Sequence, residues 1–110
     1  MTHYYWGDLT AHKLRELVDD NTVALLPVGA IEQHGPHLPL GTDATLAEGI
    51  ARHAAEAVTD AQVVILPTIS VAKSDEHLDF PGVLTLDATT LQSVLMRIGH
   101  SVARSGIRRL

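Results

Sequence analysis

Two short apolar runs, Thr22-Val23-Ala24-Leu25-Leu26-Pro27-Val28 and Gln62-Val63-Val64-Ile65-Leu66-Pro67, constrain the fold of this chain more than any other feature. Neither alternates apolar with polar residues, as a strand with one wet face would. Continuous apolar runs of this length suit strands buried on both faces. Between them, from Thr42 to Thr59, the pattern is helical, with Leu46, Ile50, Ala47, Ala51, Ala54 and Ala57 toward one side. Thr45 with Glu48 fits a capping box, and Thr42 or Asp43 serves equally as the cap. A short helix from about Thr10 to Val18 precedes the first run, carrying Leu14, Leu17 and Val18. A longer helix follows the second run, capped by Asp87 or Thr89. It sets Leu91, Val94, Leu95, Ile98 and Val102 on one stripe and Gly106 just past its end.

Strands alternating with helices imply βαβ units and a parallel sheet, so the fold class is α/β. Pro27 has no N–H to donate, and pairing should weaken there. Val83 to Leu86 is a short extended piece. Ile107-Arg108-Arg109-Leu110 reads as a chain entering its next strand, and the sequence is therefore expected to be truncated after the third helix, as one part of a single domain over residues 1–110.

Charge and composition remove several functions. A net charge of −5 argues against a nucleic-acid groove, which needs clustered Lys and Arg. The basic residues Arg104, Arg108 and Arg109 suit a helix C-terminus instead. No apolar run approaches the ~18 residues of a membrane span, and the start Met1-Thr2-His3-Tyr4-Tyr5-Trp6 lacks a signal-peptide pattern, so cytoplasm is the expected location. There is no cysteine, hence no thiolate ligand or nucleophile; a metal would have to be held by His, Asp and Glu.

Those residue types concentrate in the Gly/Pro-punctuated loop after the first strand. Glu32 and His34 are two apart, and alternate side chains of extended backbone point the same way, so both can address one ion. Asp43 follows near a helix N-terminus, where free N–H groups and the dipole favour a carboxylate. Carboxylate and imidazole without sulfur suit Zn²⁺ or Mn²⁺. Ligands of open α/β sheets bind at such strand C-termini. His37, between Pro36 and Leu38, is read as a bystander, and His53 and His100 as surface or packing residues within helices.

The stretch Leu26-Pro27-Val28-Gly29-Ala30-Ile31-Glu32-Gln33-His34-Gly35-Pro36-His37-Leu38-Pro39-Leu40-Gly41-Thr42-Asp43 resembles the signature of the creatininase (creatinine amidohydrolase) family. Ser74-Asp75-Glu76-His77-Leu78-Asp79-Phe80-Pro81-Gly82-Val83-Leu84-Thr85-Leu86 is similar to that family's second motif, with Thr85 where serine is common. The resemblance implies a layered α/β/α fold with a mostly parallel sheet, usually built into a homohexamer. It implies a two-metal centre of Zn²⁺ and Mn²⁺ and hydrolysis of carbon–nitrogen bonds in cyclic or other non-standard small-molecule amides. By position, Glu32 and His34 match metal ligands, one for each ion, and Asp43 matches the bridging carboxylate. The family's remaining ligands, from an Asn-Gly-His segment and nearby acids, have no counterpart in these residues.

Glu76 and His77 are the loop candidates for acid–base catalysis and substrate contact. Lys73-Ser74-Asp75-Glu76-His77 departs from the aromatic–glycine run of many relatives, which weighs against creatinine itself as substrate. The expected function is thus a metal-dependent amidohydrolase, inactive as these 110 residues alone. The alternative is a non-catalytic subunit that needs a partner chain to complete its fold and metal site.

Overall fold

A computed structural model describes residues 3–110. Three short strands form one parallel sheet: β1 (His3–Tyr5), β2 (Val23–Leu25) and β3 (Val63–Ile65), in the order β1-β3-β2. The registers are Tyr4 with Val64 and Ala24 with Val64, so β3 lies between two neighbours and every one of its residues is buried. The helices are α1 (Ala11–Leu17), α2 (Thr42–Ala57) and α3 (Ala88–Arg104).

Alternation along the central strand divides the core in two. Val63 and Ile65 pack with Ala51 and Ala55 of α2, joined by Tyr5, Leu25 and Val58. Leu66 and Ala24 pack with Val102 of α3 and with Ile107, joined by Trp6, Val18, Leu26 and Ile98. Helices covering opposite faces of a parallel sheet make the α/β class read from the sequence pattern and the α/β/α layering implied by the resemblance.

Each boundary has a local cause. Thr10 accepts the Lys13 N–H at 3.0 Å and starts α1; Asp87 accepts the Thr90 N–H at 2.7 Å and starts α3. Gly106, at φ +94°, ends α3 in the left-handed region. The ladder of β2 stops at Leu25, two residues before Pro27, and resumes as a single parallel bridge from Val28 to Ile69. Beyond α3, Arg109 bridges Val23 in parallel, and its carbonyl accepts the Ala24 N–H at 2.8 Å. The last residues therefore do enter strand pairing, on the outer edge of β2.

Two helix readings are corrected. The capping box at Thr45 does not form: Gly41 is the N-cap of α2 and no side chain caps it. The Thr42 N–H and hydroxyl both bond the Pro39 carbonyl, and this turn starts the helix three residues before Thr45. Asp43 thereby sits in the first turn with its carboxylate free of capping. Second, α2 meets the sheet through Ala51 and Ala55, while Leu46 and Ile50 are 57% and 67% exposed. Small side chains let the helix axis approach the sheet closely, and the larger ones fall outside that contact.

Candidate metal centre

The loop after β2 is a small hairpin. Glu32 N–H bonds the Leu40 carbonyl at 3.2 Å, and His34 bridges Leu38 in antiparallel fashion. Gly35, at φ +73°, provides the left-handed residue that the tight turn needs. His37 lies at the exposed tip of this turn. The second loop is tied on: Leu84 N–H bonds the Ile31 carbonyl at 3.1 Å, and Leu86 N–H bonds the Ala72 carbonyl at 2.9 Å. The extended piece read from Val83 to Leu86 is thus the seam between the two motif loops.

Helix α2 closes the arrangement because Gly29 has no side chain. A Cβ there would lie 2.5 Å from the Ala44 Cα and 2.7 Å from its nitrogen. That contact presses the exit of β2 against the first turn of α2 and carries Asp43 to the hairpin.

All five residues singled out from the sequence come together. Glu32, His34 and Asp43 each offer a donor atom, and these atoms lie within 4.8 Å of one another; Glu32, Glu76 and His77 form a second such group. Glu32 belongs to both. His34 Nε2 is 3.0 Å from Asp43 Oδ1, and its Nδ1 is 2.9 Å from the Glu32 carbonyl oxygen. His77 Nε2 is 3.5 Å from Glu32 Oε2. His37, His53 and His100 belong to neither group.

The His34 contacts define its protonation chemistry. A carbonyl oxygen only accepts, so Nδ1 carries a proton and the neutral ring leaves a lone pair on Nε2. With a carboxylate on that side instead of a cation, both nitrogens face acceptors. The Glu32 carbonyl, and then the Asp43 carboxylate, accordingly raise the His34 pKa above the ordinary value of 6.5. A cation between Nε2 and Asp43 would take the place of that second proton. The donor set of two carboxylates and one lone-pair nitrogen fits a hard or borderline divalent ion.

Glu76 differs from His77 in character. It is exposed, and its own backbone N–H, followed by the Lys73 ammonium 3.3 Å away, holds its carboxyl below the usual range. Glu76 is therefore a carboxylate near neutral pH and has no proton to give. Ser74, which begins this turn, is fully buried, and its hydroxyl has no partner among the described residues. Its backbone N–H is held by Thr85 Oγ1 at 2.8 Å, which in turn donates to Asp75 at 2.8 Å. Sequence reasoning passed over Ser74 and Gln33 as site residues. Both stand inside the quoted motifs, next to residues that were chosen.

A cavity of about 480 Å³ runs along α3 beside Leu91, Leu95 and Met96 and includes none of the five residues. The donor groups instead lie beyond the sheet strands, on the two loops and the first turn of α2, with Glu32, His34, Asp43 and His77 part-buried and Glu76 exposed.

A layered α/β/α chain that gathers carboxylates and imidazoles on the loops after its strands is of the class that binds ligands at strand C-termini. Residues 7–110 match the model of the creatininase family (creatinine amidohydrolase), and the chain belongs to that family. It is 36% identical over 101 residues to the mycofactocin precursor peptide peptidase of Mycolicibacterium smegmatis, covering 89% of this chain and 40% of that protein. It is 36% identical over 93 residues to the creatinine amidohydrolase of Pseudomonas putida, covering 80% and 35%. A creatininase crystal structure superposes with a TM-score of 0.88 at 33% identity, over 96% of this chain and 42% of that one. Two further similar structures are a creatininase described as Mn, with a TM-score of 0.87 at 32% identity, and a mutant creatininase of Zn-Zn type, with 0.82 at 33%. Each is matched over 96% of this chain and 42% of its own length. The chain thus spans about two-fifths of the length of the relatives it matches.

Proposed function

We propose that this chain carries part of the active site of a metal-dependent amidohydrolase that cleaves a carbon–nitrogen bond in a small cyclic or otherwise non-standard amide. The observation that carries the reading is the convergence of Glu32, His34 and Asp43, with donor atoms within 4.8 Å and His34 Nε2 3.0 Å from Asp43 Oδ1. These residues would hold Zn²⁺ or Mn²⁺, with Asp43 shared between two ions. Bound metal supplies Lewis acidity toward an amide carbonyl and an activated water.

The protein's own groups do the rest. Glu32 and Asp43 supply negative charge, and the Glu32 carbonyl keeps His34 in the tautomer that can ligate. His77 faces Glu32 from the second loop and is the group able to protonate a leaving nitrogen. Glu76, held ionised, acts on substrate by charge.

Three side chains provide about two bonds to each of two ions, where a catalytic zinc takes about three protein ligands. The remaining ligands belong to polypeptide outside these 110 residues, which we take as one part of a single creatininase-like domain. We therefore propose that the isolated chain binds metal weakly and does not turn over, and that the complete assembly is cytoplasmic and homo-oligomeric, a hexamer by family analogy. The relatives' names leave the bond open between a peptide and a small amide.

The test is metal analysis after dialysis against Zn²⁺ and Mn²⁺, on the chain and on Glu32→Gln with Asp43→Asn. The reading expects bound metal to be lost in the double variant, and equal metal content in both would overturn it. A second reading, a subunit that needs a partner chain, is favoured by the exposure of Leu46, Ile50 and Met96. It predicts that turnover appears only when a separately expressed complementing chain is added.

A further inference from the structure

Gln33 lies between two candidate ligands, yet its side chain turns to the other loop. Its Oε1 accepts the Gly35 N–H at 3.0 Å. A backbone N–H can only donate, so this bond fixes which end of the carboxamide is oxygen. The Nε2 end is then 3.3 Å from His77 Nδ1. An amide nitrogen can only donate as well, so Nδ1 must be the accepting, unprotonated nitrogen of the ring. The proton of neutral His77 is therefore on Nε2, the nitrogen 3.5 Å from Glu32 Oε2.

His77 is held in place for this contact. Its N–H bonds the Ser74 carbonyl at 3.0 Å, its carbonyl accepts the Phe80 N–H at 3.0 Å, and its ring lies 6.5 Å from that of Phe80. The two histidines at Glu32 therefore differ. His34 faces acceptors at both nitrogens, the Glu32 carbonyl at Nδ1 and Asp43 at Nε2, and would free Nε2 when a cation replaced the proton there, whereas His77 meets a donor at Nδ1 and keeps its proton on Nε2.

We infer that Gln33 is a positioning residue: through the Gly35–Gln33–His77 chain it holds His77 as the Nε2–H tautomer, a proton donor kept out of the metal's ligand set. The inference deepens the proposed function and rests on it where metal is concerned. It also decides between the two donor groups. Glu32, Glu76 and His77 lie close enough to hold a cation, but His77 Nε2 carries a proton and its Nδ1 is occupied by Gln33. In the group of Glu32, His34 and Asp43 the open ring nitrogen meets only the Asp43 carboxylate, itself a member of the group, so a cation can take the place of the proton between them.

The test is long-range ¹H–¹⁵N spectroscopy of the imidazole rings in the metal-free chain at about pH 8.5, well above the ordinary histidine pKa of ~6.5. His77 should show a pyridine-like Nδ1 and a pyrrole-like Nε2. Gln33→Glu keeps an acceptor for Gly35 but gives His77 an acceptor in place of a donor, and should move Nδ1 from pyridine-like to pyrrole-like. Gln33→Met removes the donor and should leave a tautomer mixture. A protonated Nδ1 in the unmodified chain, or no change in either folded variant, overturns the inference.

Zn²⁺ titration then separates it from the metal reading. Perturbation of His34 with His77 Nε2–H retained supports both. Loss of the His77 Nε2 proton to zinc overturns the inference and leaves metal binding intact. No response at either ring refutes the metal reading, while the metal-free spectra still decide the tautomer.

Discussion

Gly29→Ala is the substitution through which strand, helix and site can be tested together. The added Cβ would stand 2.5 Å from the Ala44 Cα and 2.7 Å from its nitrogen, both backbone atoms of the first turn of α2. Ordinary carbon contacts lie at ~3.5–4.0 Å, so the helix must retreat by roughly 1 Å. No side-chain rotation can relieve the contact. Overpacking costs about 1–3 kcal/mol, and a backbone-to-backbone clash belongs at the upper end. The backbone of Gly29 is not in the left-handed region. Alanine therefore returns ~0.4–1 kcal/mol by restricting the unfolded chain. The net loss is about 2 kcal/mol, which for a domain of this size lowers Tm by roughly 10 °C. Gly49→Ala is the control on the same helix. Nothing lies within 4 Å of its Cβ, and it should stabilise by about 0.5–1 kcal/mol as a helix-interior glycine. Urea titration of both variants reads the difference, and Zn²⁺ calorimetry reads whether Asp43 moved from His34. If Gly29→Ala proved as stabilising as Gly49→Ala, the close approach that places Asp43 would be wrong.

Other substitutions and pH shifts probe separate parts of the argument. The buried Ser74 hydroxyl has no partner among the described residues, so Ser74→Ala should raise the stability of the chain by ~1 kcal/mol; a loss of that size in chemical denaturation would mean the hydroxyl is bonded. In the metal-free chain the raised pKa of His34 stabilises the fold fully below pH 6.5, and this contribution disappears as pH rises through the raised value. Asp43→Asn should flatten that part of a Tm-against-pH profile, and an unchanged profile would remove Asp43 as the partner. Because metal competes with the same proton, Zn²⁺ affinity should fall as pH drops through the raised His34 value, with proton release seen in calorimetry in buffers of different ionisation enthalpy. Asp19, lowered chiefly by the Asn21 N–H, and Asp87, lowered by its Thr90 bonds, act in the opposite sense. Their contributions are present above pH 3.8 and lost as pH falls through the depressed values, so Asp87→Asn should weaken the acid-unfolding transition measured by circular dichroism.

The α/β class with a parallel sheet was legible because both apolar runs suit strands buried on both faces and a helical pattern separates them, while the layering came from the family resemblance; Pro27 and Gly106 mark the ends of the β2 ladder and of α3. The packing face of α2 was not legible. Leu46 and Ile50 outweigh alanine on any hydrophobic scale, but closeness of approach, governed by Gly29 and the alanines, decided which side meets the sheet. The start of that helix at Thr42 was legible, but its cap was not. Side-chain rules offered Thr45, Thr42 or Asp43, whereas Gly41 is the N-cap and the Pro39 carbonyl, bonded by Thr42, begins the first turn. At the site, charge and spacing were enough to select Glu32, His34 and Asp43 from one contiguous stretch. Nothing local could show that Glu76 and His77, more than forty residues on, meet the same carboxylate, because that depends on the Ile31–Leu84 seam.

The tripeptide Glu32-Gln33-His34 explains why such a seam matters. Its backbone contributes the Glu32 carbonyl, which sets the His34 tautomer, and its Gln33 side chain contributes the donor that sets the other histidine. These two neighbouring residues thus control where two protons reside: the His34 Nδ1 proton faces the Glu32 backbone carbonyl, and the His77 Nε2 proton faces the Glu32 carboxylate. Moving the hairpin by one register step would turn Glu32 and His34 to the opposite side and exchange their surroundings with those of Gln33. Length and charge alone therefore do not define this loop. Its turn at Gly35 must hold the register, and Gly35→Ala should disturb both histidines at once. A change at only one ring in the imidazole spectra of that variant would show that the two tautomers are set independently.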